Sequence, residues 1–252
     1  MNNLPLQNKV IVITGASGGI GNAIAQIAVE DGASVCLFGR NKIKLKNLMD
    51  SLPQGRNKFY ELDLSQEDEI KAKINDIKHE YGRIDGFVHA AGFELTKPLR
   101  KTSKADFLHL YEINTISSFS FIREILKQKS LIHNPLSFII ISSIMSTLGE
   151  RGKIAYCASK GAISSAVKAL SLEIAAQGHR VNCVSPGMVE TNLTSAMMKE
   201  YPSDVIETIK NQHPLGFGQP SDVAFLVSFL LSEKARWITG SNIIIDGGYS
   251  AK

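Results

Sequence analysis

The sequence predicts an α/β fold: one doubly wound unit with a seven-stranded parallel sheet and helices on both faces. Three observations predict it. Short β-branched runs alternate with helical patterns from one end of the chain to the other, which calls for right-handed βαβ crossovers. The first run, 10–13, is apolar at every position, as suits a strand covered on both sides. A glycine-rich turn follows that run at once and opens a helical pattern.

The elements follow in order. Strands are predicted at 10–13, 35–38, 58–62, 84–89, 138–141, 181–184 and 243–245, each a short run rich in Val, Ile or Phe. Helical patterns are predicted between them at 19–30, 41–51, 66–80, 103–130, 154–176, 190–211 and 220–231. Seven strands use up the 252 residues, so one domain spanning 1–252 is expected. A cofactor half at about 1–135 precedes a catalytic and substrate half at about 136–252. Residues 191–216, within a lid expected at about 188–215, break the rhythm, being polar, Met-containing and bounded by Pro186-Gly187 and Pro214. They read as a covering segment over a site at the carboxyl edge of the sheet.

Composition limits the function classes. With 44% apolar and 21% charged residues, the chain has the make-up of a soluble protein with a large core. A compact chain of this length buries roughly 70–75% of its unfolded surface. The net charge of +4 comes from scattered lysines, which serve solubility or an anionic ligand. Basic and aromatic residues do not interleave, so nucleic acid is not an expected partner. Cys36, Cys157 and Cys183 are an odd number without metal-like spacing, and read as free thiols of a reducing compartment. No metal site is expected. No apolar stretch has the length of a membrane span, and the first residues lack a signal peptide's pattern, so a cytoplasmic location is expected.

The turn Thr14-Gly15-Ala16-Ser17-Gly18-Gly19-Ile20-Gly21 carries the first chemical signal. Glycine suits a tight turn and the close approach of backbone to a pyrophosphate, and the helix start offers free N–H groups to the anion. The second strand ends in Gly39-Arg40, where an NAD site usually carries an acid for the ribose 2′-hydroxyl. Gly39 leaves room for a 2′-phosphate and Arg40 offers charge-assisted hydrogen bonds to it, which favours NADP(H) over NAD(H). Asp63 and Leu64 follow the third strand; Asp63 suits either the adenine amino group or the cap of the next helix.

The second signal is Tyr156-Cys157-Ala158-Ser159-Lys160. Four residues apart on a helix, a phenol and an ammonium share one face. The ammonium is expected to stabilise the phenolate and bring the phenol's proton exchange nearer neutrality. Many surface helices carry this spacing by chance. Ser143, thirteen residues earlier, and the glycine turn raise its significance.

The chain resembles the short-chain dehydrogenase/reductase family, with its Rossmann fold, along nearly its whole length. The resemblance rests on the turn at 14–21, His89-Ala90-Ala91-Gly92, Asn114, Ser142-Ser143, Tyr156-x-x-x-Lys160, Ser185-Pro186-Gly187 and Asp246-Gly247-Gly248. The stretch 181–191, with Asn182, Pro186, Gly187 and Thr191, is similar to the bacterial 3-oxoacyl-acyl-carrier-protein reductase branch.

This resemblance implies an oxidoreductase in which Tyr156 is the general acid and Ser143 polarises the substrate carbonyl. Lys160 lowers the phenol pKa and binds the nicotinamide ribose. Asn114 holds a water linking Lys160 to solvent. Asp63, Leu64, Ala90, Ala91, Gly92, Tyr156, Lys160, Pro186, Gly187, Val189 and Thr191 join Arg40 and the glycine turn in cofactor binding. The expected substrate is a 3-oxoacyl thioester, on a carrier protein or free. The alternative is an alcohol or keto-sugar oxidoreductase of a specialised or polysaccharide pathway. A non-catalytic NADP(H) sensor is a third class, which the presence of both Tyr156 and Lys160 argues against.

Three departures stand out. His89 replaces the family's first Asn and reads as a packing or backbone-bonding residue. The segment Ser130 to Leu136 is longer and more apolar than the family's compact turn. Asn134 and Gln177 stand where carrier-protein reductases tend to place arginines, with Lys127, Lys129 and Arg180 nearby. The resemblance also implies a homotetramer or homodimer, paired through helices at about 112–128 and 155–176 and through the C-terminal strand.

Overall fold

The computed structural model describes residues 4–191, 194, 195, 198 and 202–251. Parts of the predicted helix 190–211 and covering segment 188–215, namely 192, 193, 196, 197 and 199–201, lie outside the described residues.

The strands are β1 (Val10–Thr14), β2 (Ser34–Gly39), β3 (Lys58–Glu61), β4 (Gly86–His89), β5 (Ser137–Ile141), β6 (Arg180–Pro186) and β7 (Asn242–Ile245). They form one sheet in the order β3-β2-β1-β4-β5-β6-β7, and every pairing is parallel. The helices are α1 (Gly19–Glu30), α2 (Lys42–Ser51), α3 (Glu67–Tyr81), α4 (Lys104–Tyr111), α5 (Ser117–Lys127), α6 (Ile154–Ile174), α7 (Ser203–Asn211) and α8 (Pro220–Leu231).

Alternate residues of each central strand point to opposite faces, and both faces are apolar. Val12, Phe38, Phe87 and Phe138 meet α3, α5 and α6 through Ile70, Ile74, Phe121, Ile163 and Val167. Phe121 stacks on Phe87 and meets Phe38 edge-on, both at 5.2 Å. On the other face Ile11, Ile13, Leu37 and Ile139 meet α1, α2 and α8 through Ile24, Leu45 and Val227. Two-sided burial explains why these strands are continuously apolar rather than alternating.

The predicted helix 103–130 is interrupted. Between α4 and α5, Glu112–Ile116 forms a π turn. Such a turn opens the regular i→i−4 ladder and recurs at functional sites. The carbonyl of Ile113 there accepts from Ser117 Oγ at 2.8 Å and from His89 Nε2 at 3.1 Å. His89 Nδ1 accepts from Thr14 Oγ1 at 2.8 Å. Burial lowers the His89 pKa to about 3, so the ring is neutral and ties β1, β4 and the π turn together. His89 is thus a buried backbone-bonding residue.

The chain leaves β1 to one side for β2 and β3, and returns to its other side for β4 and the rest. A sheet of this kind opens a crevice at the carboxyl ends of the strands where the order reverses. No helix among the described residues is long and apolar enough to cross a membrane.

Candidate active site

A cavity of about 340 Å³ occupies that crevice. Five strand ends feed it: the glycine turn after β1, Ala90–Glu94 after β4, Ser142–Met145 after β5, Pro186–Thr191 at the end of β6, and Tyr249 beyond β7.

The glycine turn is shaped for a ligand that lies on backbone. Gly15 has φ +67, and a Cβ there would stand 2.4 Å from the Ala91 nitrogen. A Cβ on Gly21 would stand 2.2 Å from the Gly15 carbonyl oxygen. A Cβ on Gly19 would meet the Thr191 side chain at 2.6 Å. These glycines let β1, β4 and α1 close on one another and leave Gly18, Gly19, Ile20 and Gly21 lining the cavity. Gly18 is the N-cap of α1 and gives no side-chain cap, so the first N–H groups of that helix are open to an anion.

The remaining predicted cofactor residues divide. Ala90, Ala91, Gly92, Pro186, Gly187, Val189 and Thr191 line the cavity. Ser17 turns toward β2, its Oγ 3.3 Å from where a Gly39 Cβ would be. Arg40 is exposed and, among the described residues, makes no ion pair; its charge contributes to lowering the nearby Asp63 pKa. Asp63 Oδ1 accepts from the backbone and hydroxyl of Ser65, at 3.0 and 2.9 Å, so that oxygen serves the local turn. Leu64 is buried in the core. The glycine cradle and the free guanidinium suit a nicotinamide dinucleotide.

Tyr156, Lys160 and Ser143 come together in the same cavity. Ser143 follows β5 in extended conformation, and its Oγ accepts from the Met145 nitrogen at 3.2 Å. It also lies within hydrogen-bonding reach of Tyr156. The Lys160 ammonium donates to the Ile141 carbonyl at 2.8 Å and sits 5.9 Å from the centroid of the Tyr156 ring.

The expected lowering of the phenol pKa is not found in this ligand-free arrangement. Burial pushes Tyr156 up to about 12, against the Ser143 hydrogen bond that holds it down. Burial likewise pushes Lys160 down to about 8. The physical reason is desolvation, which disfavours both charged forms, while the Lys160 cation is spent on a backbone carbonyl.

Asn114 lies behind the cavity wall, fully buried in the π turn. Its Oδ1 accepts from the Phe93 nitrogen at 3.0 Å, and its Nδ2 donates to the Phe93 carbonyl and to Ser159 Oγ, each at 3.1 Å. The side chain therefore clamps the loop after β4 onto α6. A Cβ on Gly92 would stand 3.0 Å from Asn114 Oδ1 and 3.4 Å from Lys160 Nζ.

The segments 93–100, 144–153 and 188–215 line the cavity through Phe93, Glu94, Met145, Lys153, Met188 and His213, among others. Tyr249 fell outside those ranges. Asp246 accepts from the nitrogens of Gly248 and Ser250 at 3.0 and 2.8 Å, and this turn brings the Tyr249 ring to 4.6 Å from His213. The run Asp246-Gly247-Gly248 was the available signal.

Comparison with known proteins agrees with this geometry. A family model described as enoyl-(acyl carrier protein) reductase matches residues 15–250. The 3-oxoacyl-acyl-carrier-protein reductase of Rickettsia felis is 35% identical over 248 residues, covering 97% of this chain and 98% of the relative. The meso-2,3-butanediol dehydrogenase of Serratia marcescens is 32% identical over 250 residues, covering 97% and 95%. Among solved structures, the ligand-free aldohexose dehydrogenase of Thermoplasma acidophilum has a TM-score of 0.87 at 28% identity, covering 100% of this chain and 97% of that one. Sheet order, crevice and full-length similarity agree: the chain belongs to the short-chain dehydrogenase/reductase family and is an oxidoreductase acting on alcohol and carbonyl groups.

Proposed function

We propose that the chain is an NADP(H)-dependent carbonyl reductase that converts a ketone to a secondary alcohol, with Tyr156 as general acid. The observation that carries this reading is the convergence of Tyr156, Ser143 and Lys160 on the cavity that the glycine turn also lines. When bound, the reduced nicotinamide supplies the hydride that adds to the carbonyl carbon. Tyr156 then gives its proton to the carbonyl oxygen, and the Ser143 hydroxyl stabilises the charge that builds there. Lys160, which donates to the Ile141 carbonyl in the free protein, would hold the nicotinamide ribose, and its charge there would stabilise the phenolate. Asn114, whose side chain is committed on both atoms, is the residue assigned to hold the relay water. Arg40 takes the 2′-phosphate, with Gly39 leaving the space and Lys42 and Lys44 adding positive charge on the first turn of α2. The cofactor half is about 1–135 and the catalytic half about 136–252, with 188–215 as the lid.

The carrier-protein reductases among the relatives support a 3-oxoacyl thioester as the first substrate class to assay. Support for docking of a carrier protein is thinner. Lys127 is paired with Glu124, and Arg180 donates to the carbonyls of Leu230, Ser232 and Ile238, which leaves Lys129 of the three nearby cations. A second reading, an alcohol or keto-sugar oxidoreductase, is favoured by the charged side chains of Glu94, Glu150 and Lys153 in the cavity. We assign a homo-oligomer, tetramer before dimer: Ile116 and Leu172 on the two helical faces and Ile244 on β7 are exposed apolar side chains. Purified protein with NADPH or NADH and a panel of thioester, diketone and sugar substrates tests the reading; NADPH consumption with any ketone supports it, and none across the panel overturns it.

A further inference from the structure

Lys153 breaks the local rules of the helix it begins. It is the N-cap of α6, a position that ordinarily takes Ser, Thr, Asp or Asn, and it makes no side-chain cap. A cation there also faces the positive end of the helix dipole. Its side chain is only 10% exposed. Such conflicts are expected where function overrides foldability.

The ammonium is held between two carboxylates, Glu94 Oε1 at 3.0 Å and Glu150 Oε2 at 2.7 Å. Burial works against its charge, but the bonds to Glu150 and Glu94 prevail and raise its pKa, so it stays protonated. An ammonium has three N–H groups. Two go to the carboxylates, and among the described residues the third has no partner. All three side chains line the cavity that holds Tyr156, and Lys153 stands three residues before Tyr156, at the start of its helix. Both Lys153 and Glu94 act on the charge of the Tyr156 phenol, which places them close to the reacting end of the cavity.

We infer that Lys153 is a substrate-binding residue that donates its third N–H to a second oxygen of the substrate, flanking the carbon that is reduced. The inference rests on the carbonyl-reductase reading above and deepens it. The substrate is then a bifunctional ketone, bearing a neighbouring hydroxyl or a neighbouring carbonyl. A plain ketone leaves the ammonium's third donor without an acceptor in a site from which substrate has displaced water. The trio carries a net charge of one negative unit, which disfavours a carboxylate at this position and favours a neutral oxygen.

The trio also pins the loop after β4 to the start of α6, together with the bond from the Lys97 nitrogen to the Gly152 carbonyl at 2.7 Å. The test must separate that role from substrate binding. Three probes are assayed at saturating NADPH: butanone, its hydroxylated analogue acetoin, and an acetoacetyl thioester. The wild-type protein should prefer at least one bifunctional probe to butanone by about tenfold or more in kcat/KM, the factor expected for one hydrogen bond from a charged donor. Lys153→Met should cut that preference by about the same factor. Lys153→Gln, close in size and keeping a donor, should retain part of it. Whichever probe loses its advantage identifies the flanking group as hydroxyl or thioester carbonyl. An equal loss on all three probes, or a wild-type protein without preference, would overturn the inference while leaving the reductase reading intact. No turnover of any ketone would overturn that reading and the inference with it.

Discussion

The ammonium of Lys160 stands 5.9 Å from the centroid of the Tyr156 ring, yet spends its bond on the Ile141 carbonyl at 2.8 Å. Two groups of opposite acid–base character, one half-buried and one buried, thus stand side by side with both charged forms disfavoured. The free protein keeps the phenol protonated, which is the form that carbonyl reduction consumes.

The pH dependence of kcat/KM for NADPH in the reduction follows from this pair, since that parameter reports the free enzyme. Tyr156, raised to about 12, stays protonated throughout the neutral range. Lys160, lowered to about 8, is charged below that pH and neutral above it. Reduction is therefore expected to fall as pH rises through about 8, and the limb should vanish in Lys160→Met along with most of the rate. A profile that stays flat well beyond pH 8 would contradict the assignment.

Arg40→Ala tests the cofactor. A charge-assisted hydrogen bond to phosphate is worth about 10- to 100-fold in affinity. The Michaelis constant for NADPH should rise by that factor while that for NADH changes little. Equal changes for both would remove the case for a 2′-phosphate site.

Gly21→Ala introduces a Cβ 2.2 Å from the Gly15 carbonyl oxygen, a backbone atom that cannot swing aside. Overpacking of this kind costs about 1–3 kcal/mol. A urea melt should show that loss, and NADPH binding should weaken by more than Gly18→Ala does, because a Cβ on Gly18 meets nothing closer than 3.3 Å. Equal effects of the two substitutions would refute the cradle geometry.

His89 gives a prediction on stability. Its pKa is about 3 when folded and 6.5 when free, so the unfolded chain binds more protons between those values. Stability contributed by the neutral ring is complete above about 6.5 and is lost as pH falls toward 3, at up to about 1.4 kcal/mol per unit. Replacement by Asn, the residue the family's pattern carries there, should flatten that acid slope whatever it does to stability at neutral pH. An unchanged slope would show that His89 is charged in the folded protein.

Much of this was legible before the structure. Short runs rich in Val, Ile or Phe placed the strands to within two residues, most plainly the central ones, because a parallel sheet leaves those no solvent face. The predicted helix 103–130 missed its π turn, since Ile113, Asn114 and Thr115 carry no Pro or Gly; the break depends on bonds from distant His89 and to Ser159. Tyr156 and Lys160 were legible from spacing, but their pKa directions were not, because desolvation is a property of the assembled core. Tyr249 depends on a turn that returns the chain after β7, and the ion pairs of Lys153 were not legible because its two carboxylates come from separate loops.

The most direct measurement is a stopped-flow comparison of the wild-type protein with Tyr156→Phe, following NADPH consumption by a ketone substrate and NADPH binding by fluorescence. The substitution removes one hydroxyl and keeps the ring. General acid catalysis is worth about 10²–10⁴-fold. The expected result is a loss of that size in the hydride-transfer rate with NADPH affinity changed by less than about threefold, since the phenol makes no part of the glycine cradle. Undiminished turnover in Tyr156→Phe would contradict the assignment of this residue as the proton donor.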